Sequence, residues 1–394
     1  MPAKVVTTIG TRPEAIKMAP VVRALAARPA DFEQVVVATA QHRELLDQTL
    51  GAFDIAPDVD LDLMGADQRL DAFAASALIA VGRLLDELQP DFVLVQGDTT
   101  TVMATGLAAF YRGIRLGHVE AGLRSHALRS PFPEELNRRI AALAATYHFA
   151  PTARARENLM REGVDETSIH VTGNTIVDAL RTMRFPEVFA SAELGSVDFD
   201  RYRTILVTAH RRESHGAPLR EVFRALRTLV ARFGDVQIVL PVHLNPTVAR
   251  TAADELGDVE RIRLVEPLDH PDLLLALSRS CFVMTDSGGI QEEAPSLGKR
   301  VVVLREVTER PELIEAGLGE LAGTGHDAIV AAATRLLTAE SLAWDGDNPF
   351  GDGHAATRIA DALAADVSRG PASAARRAEQ TDARRPGLKT APGV

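Results

Sequence analysis

The stretch VVTTIGTRPEAIKMAP, residues 5–20, changes character at its middle. Residues 5–9 form an apolar, β-branched run suited to a buried strand. Residues 10–20 then bring Arg12, Glu14 and Lys17 into two turns of chain. Thr11 and Glu14 are spaced as a capping box, and Pro13 falls in the first turn of the helix they would start. Pro20 is expected to kink or shorten that helix. A strand that runs directly into a capped helix opens a βα unit, and the helix N-terminus at the strand exit favours anions. Two cations at that exit, in a chain of formal net charge -11, read either as solvated charges on a capped helix or as the mark of a ligand.

The same alternation continues outward. Apolar runs recur at 34–38, 92–96, 114–119, 147–150, 204–208, 236–240, 262–265, 282–285 and 301–304, with helix-like segments between them. Met18, Val21, Val22 and Leu25 show the spacing of one apolar helix face. Apolar strands alternating with helices predict parallel sheets covered on both faces, an α/β fold. At 394 residues and 46% hydrophobic content the chain can build two cores. The reading is two doubly wound, Rossmann-like domains facing a cleft, at 1–180 and 200–353. Residues 181–203 break the rhythm as a linker would. Residues 354–367 have helical spacing and are expected to return to the first domain. Residues 368–394, rich in Ala, Arg, Pro and Gly, are expected to be disordered.

The acidic balance argues against nonspecific binding to nucleic acid or anionic membrane. A single cysteine, Cys281, allows no internal disulfide and fits a reducing cytoplasm. No secretory leader is expected, and no run approaches the roughly 18 apolar residues of a membrane span.

In open parallel sheets ligands bind beyond the carboxyl ends of the strands. After 92–96 comes Gly97-Asp98-Thr99, where Asp98 would ordinarily cap the next helix. After 114–119 comes Glu120-Ala121-Gly122. Ser130-Pro131-Phe132-Pro133-Glu134 opens another helix, on which Glu134 and Arg138 share a face. Each carboxylate alone has an ordinary reading as a cap or a surface ion pair. Asp98, Glu120 and Glu134 at successive exits of one domain suggest acid–base work. The second domain carries cations and glycines instead. His210, Arg211 and Arg212 follow 204–208, His243 follows 236–240, and Asp286-Ser287-Gly288-Gly289 follows 282–285. A Ser-Gly-Gly turn leading into a helix is commonly structural, yet beside two histidines and an arginine pair it suits a diphosphate. Glu293, one turn in, is placed to accept from a ribose. GTGHDA at 323–328 matches the loose dinucleotide pattern but is read as chance. No Walker lysine loop or metal-ligand spacing is present.

Together the blocks GTRPEAIKMAP, AQHRELLDQ, GDTTT, GHVEAGLRS, SPFPEELNR, TGNTIVDA, HRRES, PVHLNP, TDSGGIQEEAPSLGK and TERPE resemble the non-hydrolysing UDP-N-acetylglucosamine 2-epimerases, over roughly residues 3 to 365. The resemblance implies a two-domain architecture shared with GT-B glycosyltransferases, a homodimer, and interconversion of UDP-GlcNAc and UDP-ManNAc without cofactor or metal. It implies catalytic roles for Lys17, Asp98, Glu120, Glu134, Arg138 and His210. It implies nucleotide contacts for Arg12, His243, Ser287, Gly288, Gly289, Glu293 and Arg310, with Leu268 and Leu273 at the uracil. The local sequence around Leu268 departs from the expected tyrosine-containing pattern.

The chemistry matches. Carbon 2 of the sugar has no carbonyl to acidify its proton. Without nicotinamide the route is elimination of UDP to a 2-acetamidoglucal and re-addition. That route needs carboxyl groups around the ring and cations around the diphosphate. Rival readings are an epimerase of a related UDP-diacetamido sugar, a GT-B glycosyltransferase, a hydrolysing epimerase and a catalytically silent sensor. The family's activating second UDP-GlcNAc site would include Gln41 and Gln68. Glu44 and Asp67 bring extra negative charge there, so weak or absent activation is expected.

Overall fold

The computed structural model describes residues 1–39, 49–51, 53–64, 68–211, 216–344 and 346–369. It divides into two compact units: Met1–Asp178 with the described residues from Gly353 on, and Ala179–Asp352.

The first unit is built on seven strands: β1 (Ala3–Ile9), β2 (Phe32–Ala38), β3 (Val59–Asp60), β4 (Phe92–Gln96), β5 (Arg115–Val119), β6 (Tyr147–Ala150) and β7 (Ile169–Val171). Their order is β3-β2-β1-β4-β5-β6-β7, and every neighbouring pair is parallel. Winding reverses between β1 and β4, which pair Val5 with Phe92 and Thr7 with Leu94. Both sheet faces are apolar, as a helix-covered parallel sheet requires. Val5, Ile9, Val36, Phe92 and Leu94 pack on one face, and Val6, Val37, Val93 and Val95 on the other. Helix Ala355–Arg369 closes the first of these faces through Ile359 and Leu363. Asp178 fixes its start by accepting from the amides of Ala355 and Ala356 at 3.2 and 2.9 Å. Residues 370–394, the rest of the expected tail, lie outside the described residues.

The second unit has six strands: β8 (Arg203–Thr208), β9 (Val236–Pro241), β10 (Ile262–Val265), β11 (Phe282–Thr285), β12 (Val301–Val303) and β13 (Gly319–Leu321). Their order is β10-β9-β8-β11-β12-β13, again parallel throughout. Here winding reverses between β8 and β11, paired at Thr208 and Thr285. Phe223, Leu226, Ile238 and Phe282 are fully buried in its core. Residues 181–203 do not hang free. Leu194 and Val197 are buried, and Asp272 accepts from the amides of Ala190 and Ser191 at 2.9 and 2.7 Å.

Three strands escaped the sequence reading: β3, β7 and β13, all at sheet edges and two or three residues long. A run that short has no measurable periodicity, and its half-exposed pattern lacks an apolar signature. Pro20 does not shorten its helix, which runs from Arg12 to Ala26 with Pro20 buried inside it. Packing of that face against the sheet and the closing helix outweighs the lost backbone hydrogen bond. Among the described residues no helix is long and apolar enough to cross a membrane.

Candidate functional site

At the winding reversal of the first unit, the exits of β1, β4 and β5 carry a dense charge network. Glu120 is the residue after β5, and its φ of 64° is in the left-handed region. Non-glycine residues avoid that region, so the conformation is a strain held for a purpose. It turns a carboxylate, with the residue only 9% exposed, onto Lys17, whose Nζ lies 2.6 Å from Oε2. Gln96, the last residue of β4, donates its side-chain amide to the same oxygen. Lys17 is one turn into helix Arg12–Ala26, so the opening stretch delivers a buried cation to the second predicted carboxylate. Arg12 is half-buried at the start of that helix.

Asp98 does not cap the helix that follows β4. Thr99 does, accepting from the amide of Val102 at 3.3 Å. Asp98 instead pairs with Arg138 at 2.5 Å, and its backbone carbonyl accepts from the Asn137 side chain at 2.9 Å. Helix Glu134–Ala144 thus grips the Asp98 loop with two consecutive residues. Glu134, the first residue of that helix, is half-buried. Its neighbour Glu135 is fully buried and faces Arg138 at 3.4 Å and Arg139 at 3.2 Å.

Glu14 does more than cap. It accepts from the amides of Gly10 and Thr11 and, at 2.6 Å, from the Thr99 hydroxyl, tying the β1 exit to the β4 exit. Burial pushes its carboxyl up to about 7, against the pull of those hydrogen bonds and with a contribution from the Asp98 charge. His118 lies two residues before Glu120 and holds the Gly97 carbonyl at 2.8 Å through Nε2. Burial pushes His118 down to about 4 and its register partner His148 to about 3. Gly122 leaves no alternative residue: its φ is 92°, and a Cβ there would lie 2.2 Å from the Ala155 carbonyl oxygen.

The second unit presents a different set at its own reversal. His210 follows β8 and His243 follows β9; their rings stack at 5.5 Å and 6°. Ser287 precedes helix Gly288–Glu293, and its amide donates to the Thr285 hydroxyl at 2.9 Å. The Arg310 guanidinium lies where a Gly288 side chain would project, 2.8 Å from the ideal Cβ position, so a side chain there would have to displace it. Arg310 is clamped by Glu292 and Glu309, each at 2.8 Å. Gly289 is exposed. Glu293 Oε1 faces His270 Nε2 at 2.9 Å, both residues buried. Leu268 and Leu273 are half-buried around the start of helix His270–Arg279. The GTGHDA stretch does sit between a strand and a helix, yet Glu306 accepts from the Thr324 amide at 3.2 Å, a carboxylate where a dinucleotide would bring phosphate. Among the described residues no group of His, Cys, Asp and Glu could hold a metal ion. Gln68 is half-buried; Gln41, Glu44 and Asp67 lie outside the described residues, as do Arg212, Glu213 and Ser214.

Known proteins share the sequence pattern and the two-sheet fold. The family model described as UDP-N-acetylglucosamine 2-epimerase matches residues 23–364. The chain belongs to that family. UDP-N-acetylglucosamine 2-epimerase of Bacillus subtilis is 49% identical over 363 residues, covering 91% of this chain and 94% of that protein. The Escherichia coli K12 enzyme of the same name is 48% identical over 371 residues, covering 91% and 98%. The crystal structure of UDP-GlcNAc 2-epimerase from Neisseria meningitidis bound to UDP-GlcNAc is 40% identical, with a TM-score of 0.83, covering 91% of this chain and 99% of that one. Within the family frame, sequence reasoning missed Gln96, Asn137, Glu135, Asp286 and His270. Gln96 gave one signal, as an amide ending an otherwise apolar strand. Glu135 pairs within its own helix, with Arg138 and Arg139, while Asn137, Asp286 and His270 became visible only when distant segments met.

Proposed function

We propose that the chain epimerises UDP-GlcNAc at C2, to UDP-ManNAc and back, by eliminating UDP to a 2-acetamidoglucal and adding it again. The first unit supplies the proton-transfer groups and the second holds the nucleotide. The observation that carries this is Glu120, kept in a left-handed backbone conformation so that its buried carboxylate meets Lys17 and Gln96. Lys17 sets a positive charge 2.6 Å from that carboxylate, beside the group proposed as base. Asp98, held by Arg138 and Asn137, and Glu134 complete the acid–base set, and reversibility makes base and acid exchange roles between directions. In the second unit His210, His243, the Ser287 hydroxyl and the amides of Gly288 and Gly289 are suited to the leaving diphosphate. Arg12 and Arg310 add positive charge. Glu293, with one oxygen on His270, offers the other to the ribose, and Leu268 and Leu273 line the uracil. The family resemblance further supports a cytoplasmic homodimer, whose state in solution light scattering would read.

Incubation with UDP-GlcNAc and no acceptor tests this. Conversion to an equilibrium mixture with UDP-ManNAc is expected. Release of free ManNAc would point to a hydrolysing enzyme. No turnover without an acceptor would point to a glycosyltransferase, and turnover only of a diacetamido sugar would shift the substrate.

A further inference from the structure

Asp286 immediately follows β11, at the winding reversal of the second sheet, and is 1% exposed. Its Oδ2 accepts two backbone hydrogen bonds from across the reversal, from the amides of His210 at 2.7 Å and Arg211 at 2.8 Å. Its Oδ1 lies 3.3 Å from His210 Nδ1 and makes no aligned hydrogen bond to a described residue. One carboxylate therefore holds the peptide that carries His210 and lies beside the edge of its ring. The His210 side chain is 38% exposed, so one side of the ring faces a buried anion and the other faces outward.

We infer that Asp286 is a positioning residue for His210: it keeps a proton on Nδ1, so that Nε2 is the ring nitrogen that takes up or gives away a proton. Two facts require it. A buried carboxylate oxygen needs a donor, and Nδ1 is the group placed to be one. The opposite tautomer would set the Nδ1 lone pair against Oδ1 at 3.3 Å, a repulsion in a buried setting. This rests on the reading of His210 as a catalytic group facing the diphosphate. With Nδ1 satisfied by an anion, the ring can carry its second proton on Nε2 as charge builds on the departing diphosphate.

Asp286→Asn separates this role from scaffolding. Two amides already converge on Oδ2, so the carboxamide oxygen must take that place and its NH2 must take the place of Oδ1. The loop keeps both backbone bonds. The NH2 now donates to Nδ1 and forces the proton onto Nε2. In hydrolase triads the same exchange traps the wrong tautomer at large cost in rate. The test is nitrogen NMR of histidine-labelled full-length protein at a pH where the ring is neutral, with His210 assigned by its disappearance in His210→Ala. Wild type should show the Nδ1–H form and Asp286→Asn the Nε2–H form, with turnover lower by about 10²-fold or more. An Nε2–H tautomer in wild type would overturn the inference whether or not the variant folds. So would a variant that keeps the wild-type tautomer, or one that flips it at an unchanged rate. Full activity in His210→Ala would instead refute the catalytic reading of His210, leaving the tautomer assignment to stand on its own measurement.

Discussion

The two sheets share a winding scheme and put different chemistry at the same place. At the β1/β4 reversal the first unit buries opposite charges against each other: Lys17 on Glu120, Arg138 on Asp98 and Glu135. At the β8/β11 reversal the second unit uses its buried carboxylates as props. Asp286 holds the His210 peptide, and Glu292 and Glu309 hold Arg310, so that donors and cations are what the strand exits present. On the proposed function, the same geometry yields a proton-transfer set in one unit and an anion-holding set in the other.

The largest expected effect attacks the first set. Glu120→Gln keeps size and hydrogen bonding but removes proton transfer, and should lower turnover by about 10²-fold or more. UDP affinity, measured by calorimetry, should stay within a few-fold. Asp98→Asn and Glu134→Gln should behave alike. Loss of UDP affinity in these variants would break the division between the units.

Next comes the second set. Arg310→Ala removes the guanidinium that neutralises Glu292 and Glu309, residues 1% and 7% exposed. It should cost about 3 kcal/mol of stability by denaturant titration and weaken UDP binding. Unchanged UDP affinity would remove Arg310 from the nucleotide site.

A smaller effect concerns Glu14. Folded, its carboxyl keeps a proton up to about pH 7, against an ordinary value of 4.5. The folded state therefore binds more protons than the unfolded one between those values. Stability should fall as pH rises through that window, by something on the order of 3 kcal/mol. Glu14→Gln should flatten this part of the profile. His118 and His148 give the opposite slope, since burial lowers both, to about 4 and about 3. Their contribution is present above pH 6.5 and lost as pH falls through the folded values. A wild-type and Glu14→Gln pair with parallel profiles would contradict the account of Glu14.

The smallest effect is expected of His243→Ala. It removes the ring stacked on His210 and should weaken UDP binding about tenfold, with a smaller change in turnover.

The long strands and the strand-exit residues were legible because each signal is local. A β-branched run ending in Gly-Thr-Arg or Gly-Asp-Thr states its own role. Edge strands β3, β7 and β13 were not, because two or three residues carry no period. For Asp98 the cap stood as the ordinary alternative to an acid–base role, and local sequence could not discard it, because its partner Arg138 is forty residues on. Asp286 was quoted only as part of a glycine turn; its meaning depends on β8 lying beside β11, which no local pattern states. The weak-activation expectation concerns Gln41, Glu44 and Asp67, outside the described residues, and rests on charge alone. Rates with UDP-ManNAc, with and without trace UDP-GlcNAc, would check it.

The most direct test of proton removal at C2 is proton NMR of the reaction with UDP-GlcNAc in heavy water. The account predicts UDP-ManNAc carrying solvent deuterium at C2, with UDP and 2-acetamidoglucal released on long incubation. Product that retains the original C2 hydrogen would contradict it.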